Sequence, residues 1–134
     1  KKHICEAGVD SYFNFIPRKP AEEIPRYFAW SDAALITLSK SEVYSMTIPA
    51  KTQSCLACGM PVLVSADGEV QEIIREASCG YASNSGDAEG LADNIEKFIL
   101  LSEDAKKELS NNAINYYRTN FDKTMLMNKM EEYI

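Results

Sequence analysis

The chain has 134 residues, of which 46% are hydrophobic and 25% are charged, a composition typical of a single globular domain. Its formal net charge of −6 makes duplex nucleic acid an unfavourable partner, because phosphate backbones are bound by basic surfaces. The longest apolar runs, at 33–38 and 61–64, are too short to cross a bilayer.

The chain begins at Lys1, without an initiator Met and without a secretory signal, so we expect a cytoplasmic piece of a longer protein. Cys55 and Cys58 form a CxxC pair, but the pair falls inside a predicted helix, and His3 is the single histidine. A zinc site usually needs two paired half-sites, and a redox CxxC usually starts a helix. We therefore predict four reduced thiols and no metal.

The first third of the chain predicts one strand between two helices. Residues 1–8 read as the end of a helix that stops at Gly8. The aromatic run at 11–16 predicts a strand, which prolines at 17 and 20 end. From Ala21 the apolar spacing predicts a short helix, with Pro25 in its first turn.

The remainder alternates apolar strands with helices before becoming wholly helical. The helix after the loop at 39–47 has Thr47 or Ile48 as its cap, Pro49 in its first turn and Gly59 as its stop. The predicted strands are 33–38, 61–65 and a short one near 81–82. The predicted helices are 49–58, 69–78, 88–101, 102–120 with Ser102 as cap, and 122–134.

Strands that are apolar throughout and alternate with helices indicate an α/β three-layer sandwich with a parallel sheet, in one domain over 1–134. Such sheets bind ligands beyond the carboxyl ends of their strands, in the loops that lead to the helices. Those loops are predicted at 17–20, 39–48, 65–68 and 83–87.

The helix start at 47–54 is a candidate phosphate site. A helix N-terminus presents free backbone N–H groups and partial positive charge, and Lys51 adds a full charge in the first turn. Together these features suit a diphosphate. A plain helix start with a solvent-exposed lysine has the same local pattern, so both interpretations stay open.

Two further stretches carry groups suited to a nucleotide-sugar. Gly68 permits close approach of a ligand, and the carboxylates of Asp67 and Glu69 can accept hydrogen bonds from sugar hydroxyls. Arg18 and Lys19, between prolines, form a stiff cationic loop that can line a base pocket. An ordinary turn and exposed cations are equally compatible with these patterns. Neither a GxGxxG nor a P-loop motif is present.

The order of these segments resembles the C-terminal domain of retaining GT-B glycosyltransferases of family 4, in the branch that builds O-antigen and capsule sugars. The likeness covers nearly the whole chain. It is carried by FNFIP at 13–17, EEIPRYFAWSDAALI at 22–36, IPAK at 48–51, LACGMPVL at 56–63, DGE at 67–69 and CGY at 79–81.

The resemblance implies a Rossmann-like half of a GT-B fold, with extra C-terminal helices, that holds a nucleoside-diphosphate sugar. The base would lie near Pro17, Arg18 and Lys19, and the cleft would reach Asp67, Gly68 and Glu69. The diphosphate and sugar would face the loop and helix that contain Ser45, Met46, Thr47, Ile48, Lys51 and Ser54. Which residue is catalytic stays unknown.

This sequence departs from the family pattern at two places. Many members carry two glutamates eight positions apart, where Met46 and Ser54 stand here. Pro17 stands where the family often has glycine. The family's phosphate-binding Arg and Lys would precede Lys1. The departures leave open which residues contact the donor sugar.

The resemblance implies transfer of a hexose or amino-sugar, with retention, from a nucleoside diphosphate (UDP is the expected one) to a cell-envelope glycan or lipid-linked acceptor. No cofactor is implied, and this chain alone is expected to be inactive. The expected partner is an N-terminal acceptor-binding domain of the same protein, through which any contact with the inner face of the membrane would occur. Two alternatives remain: a non-catalytic, receiver-like α/β binding module, or half of a sugar-nucleotide 2-epimerase.

Overall fold

A computed structural model describes residues 2–132 of the chain. The helices are α1 (Lys2–Glu6), α2 (Ile24–Ala29), α3 (Glu42–Ser45), α4 (Ala50–Ala57), α5 (Glu69–Ala77), α6 (Ala88–Ile99), α7 (Glu103–Asn120) and α8 (Lys123–Glu131). The strands are β1 (Ala34–Thr37), β2 (Val62–Ser65) and β3 (Gly80–Ser83). Two short 3-10 helices cover Asp10–Tyr12 and Ala21–Glu23.

The three strands form one parallel sheet in the order β1-β2-β3. Val62 of β2 lies opposite Ala34 of β1 and Gly80 of β3, so the central strand is paired on both sides. All four residues of β2 are buried. The sequence prediction of three parallel strands at these places is confirmed, and it rested on the uniformly apolar pattern that two-sided burial requires.

Helices cover both faces of this sheet. On one face, Ile36, Val62 and Val64 join a single core cluster to which α4 contributes Leu56 and α7 contributes Ala113. Side chains alternate between the faces of a strand, so Leu63, also buried, points to the opposite face. There α6 packs against β2 and β3. The α/β, Rossmann-like class expected of a GT-B half is confirmed.

The predicted helix signals in the second half are also confirmed. Ser102 caps α7 through its side-chain oxygen, which accepts a hydrogen bond from the Ala105 N–H at 3.2 Å. Asp87 and Asp122 cap α6 and α8 in the same way. Gly59, with φ of 67°, follows the end of α4. The last two residues of the helix predicted at 122–134 lie outside the described part of the chain.

The strand predicted at 11–16 is wrong. A 3-10 turn occupies Asp10–Tyr12, and residues 13–20 have no regular secondary structure. The aromatic pattern is suited to a strand, and Phe13 stacks with Phe15 at 6.2 Å. A strand also requires a neighbour to complete its hydrogen-bond ladder. The sheet described for residues 2–132 has no strand from this segment.

Two boundaries near the predicted site also differ. The stretch predicted as a loop at 39–47 contains the short helix α3, with Ser41 as its N-cap. Pro49 caps α4 from outside in an extended conformation, so the first helical residue is Ala50 rather than Pro49. Helix ends commonly differ from sequence patterns by one or two residues. No helix within residues 2–132 is both long and apolar enough to cross a membrane.

Candidate functional site

Hydrogen bonds tie together the three loops that follow the strands. The Ser85 hydroxyl donates to the Leu38 carbonyl at 2.7 Å, and the Ser85 N–H donates to Asp67 Oδ1 at 3.0 Å. The Ser65 hydroxyl donates to the Asn84 carbonyl at 3.0 Å. Loops after β1, β2 and β3 therefore hold one another in place at the carboxyl edge of the sheet, where parallel sheets bind ligands.

A direct backbone contact joins α3 to the start of α5. A Cβ atom built on Gly68 would lie 2.0 Å from the carbonyl oxygen of Ser45, far inside van der Waals contact. Gly68 also has φ of 79°, a backbone conformation that residues other than glycine rarely adopt. The glycine therefore lets two stretches predicted from sequence, 45–48 and 67–69, meet.

An open cleft of about 370 Å³ lies beside this contact and will be called the α3 cleft. It is lined by Lys40, Ser41, Glu42, Ser45 and Asp67. The sequence prediction included Ser45 and Asp67 but missed Lys40, Ser41 and Glu42. The missed signal was the serine followed by glutamate at 41–42, which is a helix N-cap pattern, but the helix it starts is only four residues long.

The hydroxyl groups predicted near this cleft donate to backbone carbonyls three or four residues earlier in the chain. The Ser45 hydroxyl donates to the Glu42 carbonyl at 2.8 Å, and the Thr47 hydroxyl donates to the Val43 carbonyl. Ser54 donates to the Ala50 carbonyl at 3.2 Å. Each hydroxyl oxygen keeps its acceptor capacity, so these groups can still receive hydrogen bonds from a ligand.

The positions where many family members carry glutamate are both solvent-exposed. Met46 follows α3 directly and has 74% of its surface exposed, whereas Ile48 is half-buried against the core. Ser54 lies one turn into α4 and is exposed. Neither position supplies a carboxylate. The carboxylates that line the α3 cleft belong to Glu42 and Asp67.

The N-terminus of α4 has the donors expected of an anion site. The N–H groups of Ala50 and Lys51 donate to no acceptor within residues 2–132, because Pro49 ends the preceding turn in an extended conformation. Lys51 is exposed and forms no ion pair with a described carboxylate. This end of the helix offers two backbone donors and a cation.

Asp67 and Glu69 occupy different environments. Asp67 is partly buried, and one of its oxygens accepts the Ser85 N–H, which leaves the other oxygen for the cleft. Glu69 is the first residue of α5, where its charge faces the positive end of the helix dipole, and it is exposed. Asp67 is thus the carboxylate of this pair that lines the cleft.

Pro17, Arg18 and Lys19 lie in a separate cleft. This cleft of about 390 Å³ is lined by Ile16, Pro17, Arg18, Lys19, Ile24 and Tyr27. Lys19 pairs with Glu23 at 3.7 Å, while Arg18 is exposed. The lining residues of this cleft include neither Ser45 nor Asp67, and they share no residue with the α3 cleft. The two predicted parts of the site therefore line different clefts.

The cysteines are free thiols, and the CxxC pair is split between environments. Cys55 and Cys79 are buried, whereas Cys5 and Cys58 are exposed. Burial raises the pKa of Cys55 to about 11 and that of Cys79 to about 12. A raised pKa keeps these thiols protonated and unreactive at neutral pH. Within residues 2–132, His, Cys, Asp and Glu side chains form no group of three that could hold a metal ion.

Comparisons with known proteins agree with the resemblance found in the sequence. Residues 1–116 match the family described as Glycosyl transferases group 1. Over 93 residues the chain is 29% identical to the amylovoran biosynthesis glycosyltransferase AmsK of Erwinia amylovora. That stretch covers 69% of this chain and 23% of AmsK, so it spans less than a quarter of the relative. No solved structure matches the chain.

Proposed function

The chain belongs to the glycosyl transferases group 1 family, and on that premise we propose that it is the donor-binding part of a transferase. In this proposal it holds a nucleoside-diphosphate sugar, UDP-linked, and a separate N-terminal domain of the same protein holds the acceptor. The hexose or amino-sugar is transferred with retention to a growing cell-envelope polysaccharide or its lipid-linked precursor. The polysaccharide role is supported by the similarity to AmsK, which is named for amylovoran biosynthesis.

The observation that carries the proposal is the contact between Ser45 and Gly68. It brings α3, which lines the α3 cleft, against the turn that starts α5. The N-terminus of α4 follows α3 after four residues of chain. A diphosphate needs positive charge and N–H donors, which Ala50 and Lys51 supply. A sugar needs hydrogen-bond acceptors, which Glu42 and Asp67 supply.

We assign the donor-sugar contacts to Glu42 and Asp67 because the family's usual glutamate positions hold Met46 and Ser54. Glu42 lies four residues before Met46, about one helical turn. Its carboxylate lines the α3 cleft, whereas the exposed Met46 side chain is apolar. Asp67 faces the same cleft from the loop after β2. The two carboxylates thus take over the role of the absent pair.

Ser45, Thr47 and Ser54 complete the proposed site as acceptors for ribose and sugar hydroxyls. Ile48 and Met46 contribute apolar surface at its rim, and Glu69 contributes a carboxylate at its outer edge. Pro17, Arg18 and Lys19 form the proposed base pocket, with the Tyr27 ring as an apolar wall. The linings of that pocket and of the α3 cleft share no residue, and in this proposal one nucleotide reaches from the first to the second.

In this mechanism the chain acts by position and charge. Departure of the nucleoside diphosphate leaves negative charge on its terminal phosphate, and donors already aimed at that charge lower the barrier. The Lys51 ammonium and the first N–H groups of α4 supply those donors. Glu42 and Asp67 fix the sugar ring so that its anomeric carbon faces the acceptor.

Amide NMR titration of the chain tests the proposal, with UDP, GDP, ADP and UDP-sugars as ligands. One nucleotide is expected to cause saturable shifts confined to residues 16–20, 42–54 and 66–69. Glu42→Gln should weaken UDP-sugar binding about tenfold while leaving UDP binding unchanged, because the carboxylate contacts only the sugar. Glu96→Gln, an exposed glutamate on α6 outside these segments, is the matched control and should change neither.

Saturable shifts centred elsewhere would contradict the site. Equal binding of a UDP-sugar by native chain and Glu42→Gln would contradict the assignment of Glu42. Comparison of UDP with GDP and ADP also identifies the base, since the three share a diphosphate.

A further inference from the structure

Gln71 is a buried polar residue whose side chain is bonded to a different element of the fold. It lies in the first turn of α5 and has 6% of its surface exposed. Its side-chain Nε2 donates a hydrogen bond at 3.0 Å to Oδ1 of Asn84, in the loop after β3. Burial of a polar side chain costs free energy unless a hydrogen bond offsets it. The bond to Asn84 is therefore the property that distinguishes glutamine from an apolar residue at this position.

The backbone of Gln71 is bonded to the turn that carries Asp67. The Gln71 N–H donates to the Gly68 carbonyl at 2.9 Å. Asp67 precedes Gly68 in the chain, and its Oδ1 accepts the Ser85 N–H at 3.0 Å. Ser85 in turn follows Asn84, the partner of the Gln71 side chain. These three hydrogen bonds and the chain between them form a closed ring that passes through Gln71 and the Asp67 carboxylate.

Other hydrogen bonds hold the same loop, but they end on different elements. The Ser65 hydroxyl, on β2, donates to the Asn84 carbonyl at 3.0 Å. The Ser85 hydroxyl donates to the Leu38 carbonyl, after β1, at 2.7 Å. Among residues 2–132, the bond from Gln71 is the hydrogen bond that joins this loop to α5. It thus ties the loop to the helix that begins directly after Asp67 and Gly68.

The ring determines how the Asp67 carboxylate is held. A carboxylate rotates about its side-chain bonds unless a donor fixes one of its oxygens. The Ser85 N–H fixes Oδ1, and the place of that N–H depends on the peptide that joins Asn84 to Ser85. A hydrogen bond to the Asn84 side chain therefore acts on Asp67 through a single peptide. Binding groups keep a productive geometry only when such supporting contacts hold them.

We propose that Gln71 is a positioning residue of the α3 cleft. It holds Asn84 so that the Ser85 N–H keeps the Asp67 carboxylate oriented towards a hydroxyl of the donor sugar. Gln71 itself does not line the cleft. Its effect is expected on the sugar and not on the diphosphate, which the proposed function assigns to the N-terminus of α4. The inference deepens the proposed function and rests on it for the ligand, whereas the ring of hydrogen bonds stands on geometry alone.

Gln71→Met tests the proposal, since methionine is also long and unbranched but donates no hydrogen bond. Hydrogen exchange of the Ser85 amide, measured by NMR, should become about tenfold faster, because its acceptor is no longer held in place. The affinity of the chain for a UDP-sugar should fall about tenfold, while its affinity for UDP stays unchanged. A loss of stability alone would not separate the two ligands in this way.

Two further variants separate positioning from a general loss of stability. Asn84→Ala removes the partner of the Gln71 side chain from an exposed residue, and it should have the same two effects. The double variant should be no weaker than either single variant, because both remove one interaction. Ser83→Ala is the matched control, since it removes a buried hydroxyl that donates to the Val64 carbonyl outside the ring. It should change neither the exchange of the Ser85 amide nor the binding of a UDP-sugar.

Unchanged exchange of the Ser85 amide in Gln71→Met would overturn the proposal. Effects of Ser83→Ala equal to those of Gln71→Met would also overturn it. Asp67→Ala distinguishes this failure from failure of the proposed function. If Asp67→Ala weakens UDP-sugar binding and Gln71→Met does not, Asp67 contacts the sugar without being positioned by Gln71. If neither variant weakens it, the assignment of Asp67 to the donor sugar fails, and the positioning role fails with it.

Discussion

Replacing Gly68 by alanine should destabilise the chain strongly, because the backbone of Ser45 occupies the space that the added methyl group needs. The new Cβ would sit 2.0 Å from the Ser45 carbonyl oxygen, with the Ser45 carbonyl carbon at 2.6 Å. Backbone atoms cannot rotate away as a flexible side chain can. Either α3 moves away from α5, or the Gly68 backbone leaves its φ of 79° and ψ of −145°.

The expected loss in the free energy of unfolding has two parts. Holding a residue other than glycine in this region of φ and ψ costs about 1–3 kcal/mol. Forcing an extra carbon into a packed contact costs about 1–3 kcal/mol more. The free energy of unfolding should therefore fall by about 2–6 kcal/mol, which is a large part of the roughly 5–15 kcal/mol that stabilises a typical domain.

Gly86→Ala is the matched control for stability. Gly86 has φ of 81°, close to that of Gly68, but a Cβ built on it meets nothing within 4 Å. Its substitution should cost the backbone part alone, about 1–3 kcal/mol. Urea unfolding followed by circular dichroism measures both variants. If Gly68→Ala were no less stable than Gly86→Ala, the contact between Ser45 and Gly68 would not exist, and the proposed α3 cleft would lose its basis.

Two further outcomes follow from buried polar groups. Thr52→Val should raise the free energy of unfolding by about 1 kcal/mol, because the buried Thr52 hydroxyl has no hydrogen-bond partner within residues 2–132. Ser83→Ala removes a hydroxyl bonded to the Val64 carbonyl and should lower the free energy of unfolding by a similar amount. Urea midpoints that shift in the same direction for both variants would refute this. Burial raises the pKa of Cys55 and Cys79 to about 11 and 12, so the folded chain holds protons that the unfolded chain releases above its ordinary 9.0. The free energy of unfolding should therefore decline as pH rises from about 9 to 12. At pH 8, a thiol reagent should react with the exposed Cys5 and Cys58 and not with the buried Cys55 and Cys79. Rapid labelling of all four thiols would contradict the burial of Cys55 and Cys79.

The parts of the fold that were predicted correctly are those whose signals are local. Residues 62–64 are all apolar, so both faces of their strand are apolar, as a central buried strand requires. Ser102 followed by two acidic residues is a complete helix start in itself. Residues 11–16 carry an equally good strand pattern, but a strand is completed by another segment. The pattern of one segment contains no information on whether that neighbour exists.

The residues that line the α3 cleft were identified from the sequence in part, for the same reason. Gly68 and Asp67 were identified because a glycine turn after a strand marks the ligand edge of such a sheet. Lys40 and Glu42 were missed because the cleft that they line lies beside a contact between Ser45 and Gly68, which are 23 residues apart in the sequence. Helical periodicity cannot reveal a helix as short as α3, and no spacing rule relates the loop after β1 to the loop after β3.

Ser85 has a consequence for the thermodynamics of ligand binding. One residue fixes both the end of β1, through Leu38, and the loop after β2, through Asp67. The conformational entropy of these loops is thus lost when the chain folds, and little remains to be lost when a ligand arrives. The backbone should consequently contribute only a small unfavourable entropy to the free energy of ligand binding at this edge. A change at Ser85 would appear in calorimetry as an entropic penalty on binding in the α3 cleft, which Asp67 lines, although the Ser85 side chain is bonded only to the protein.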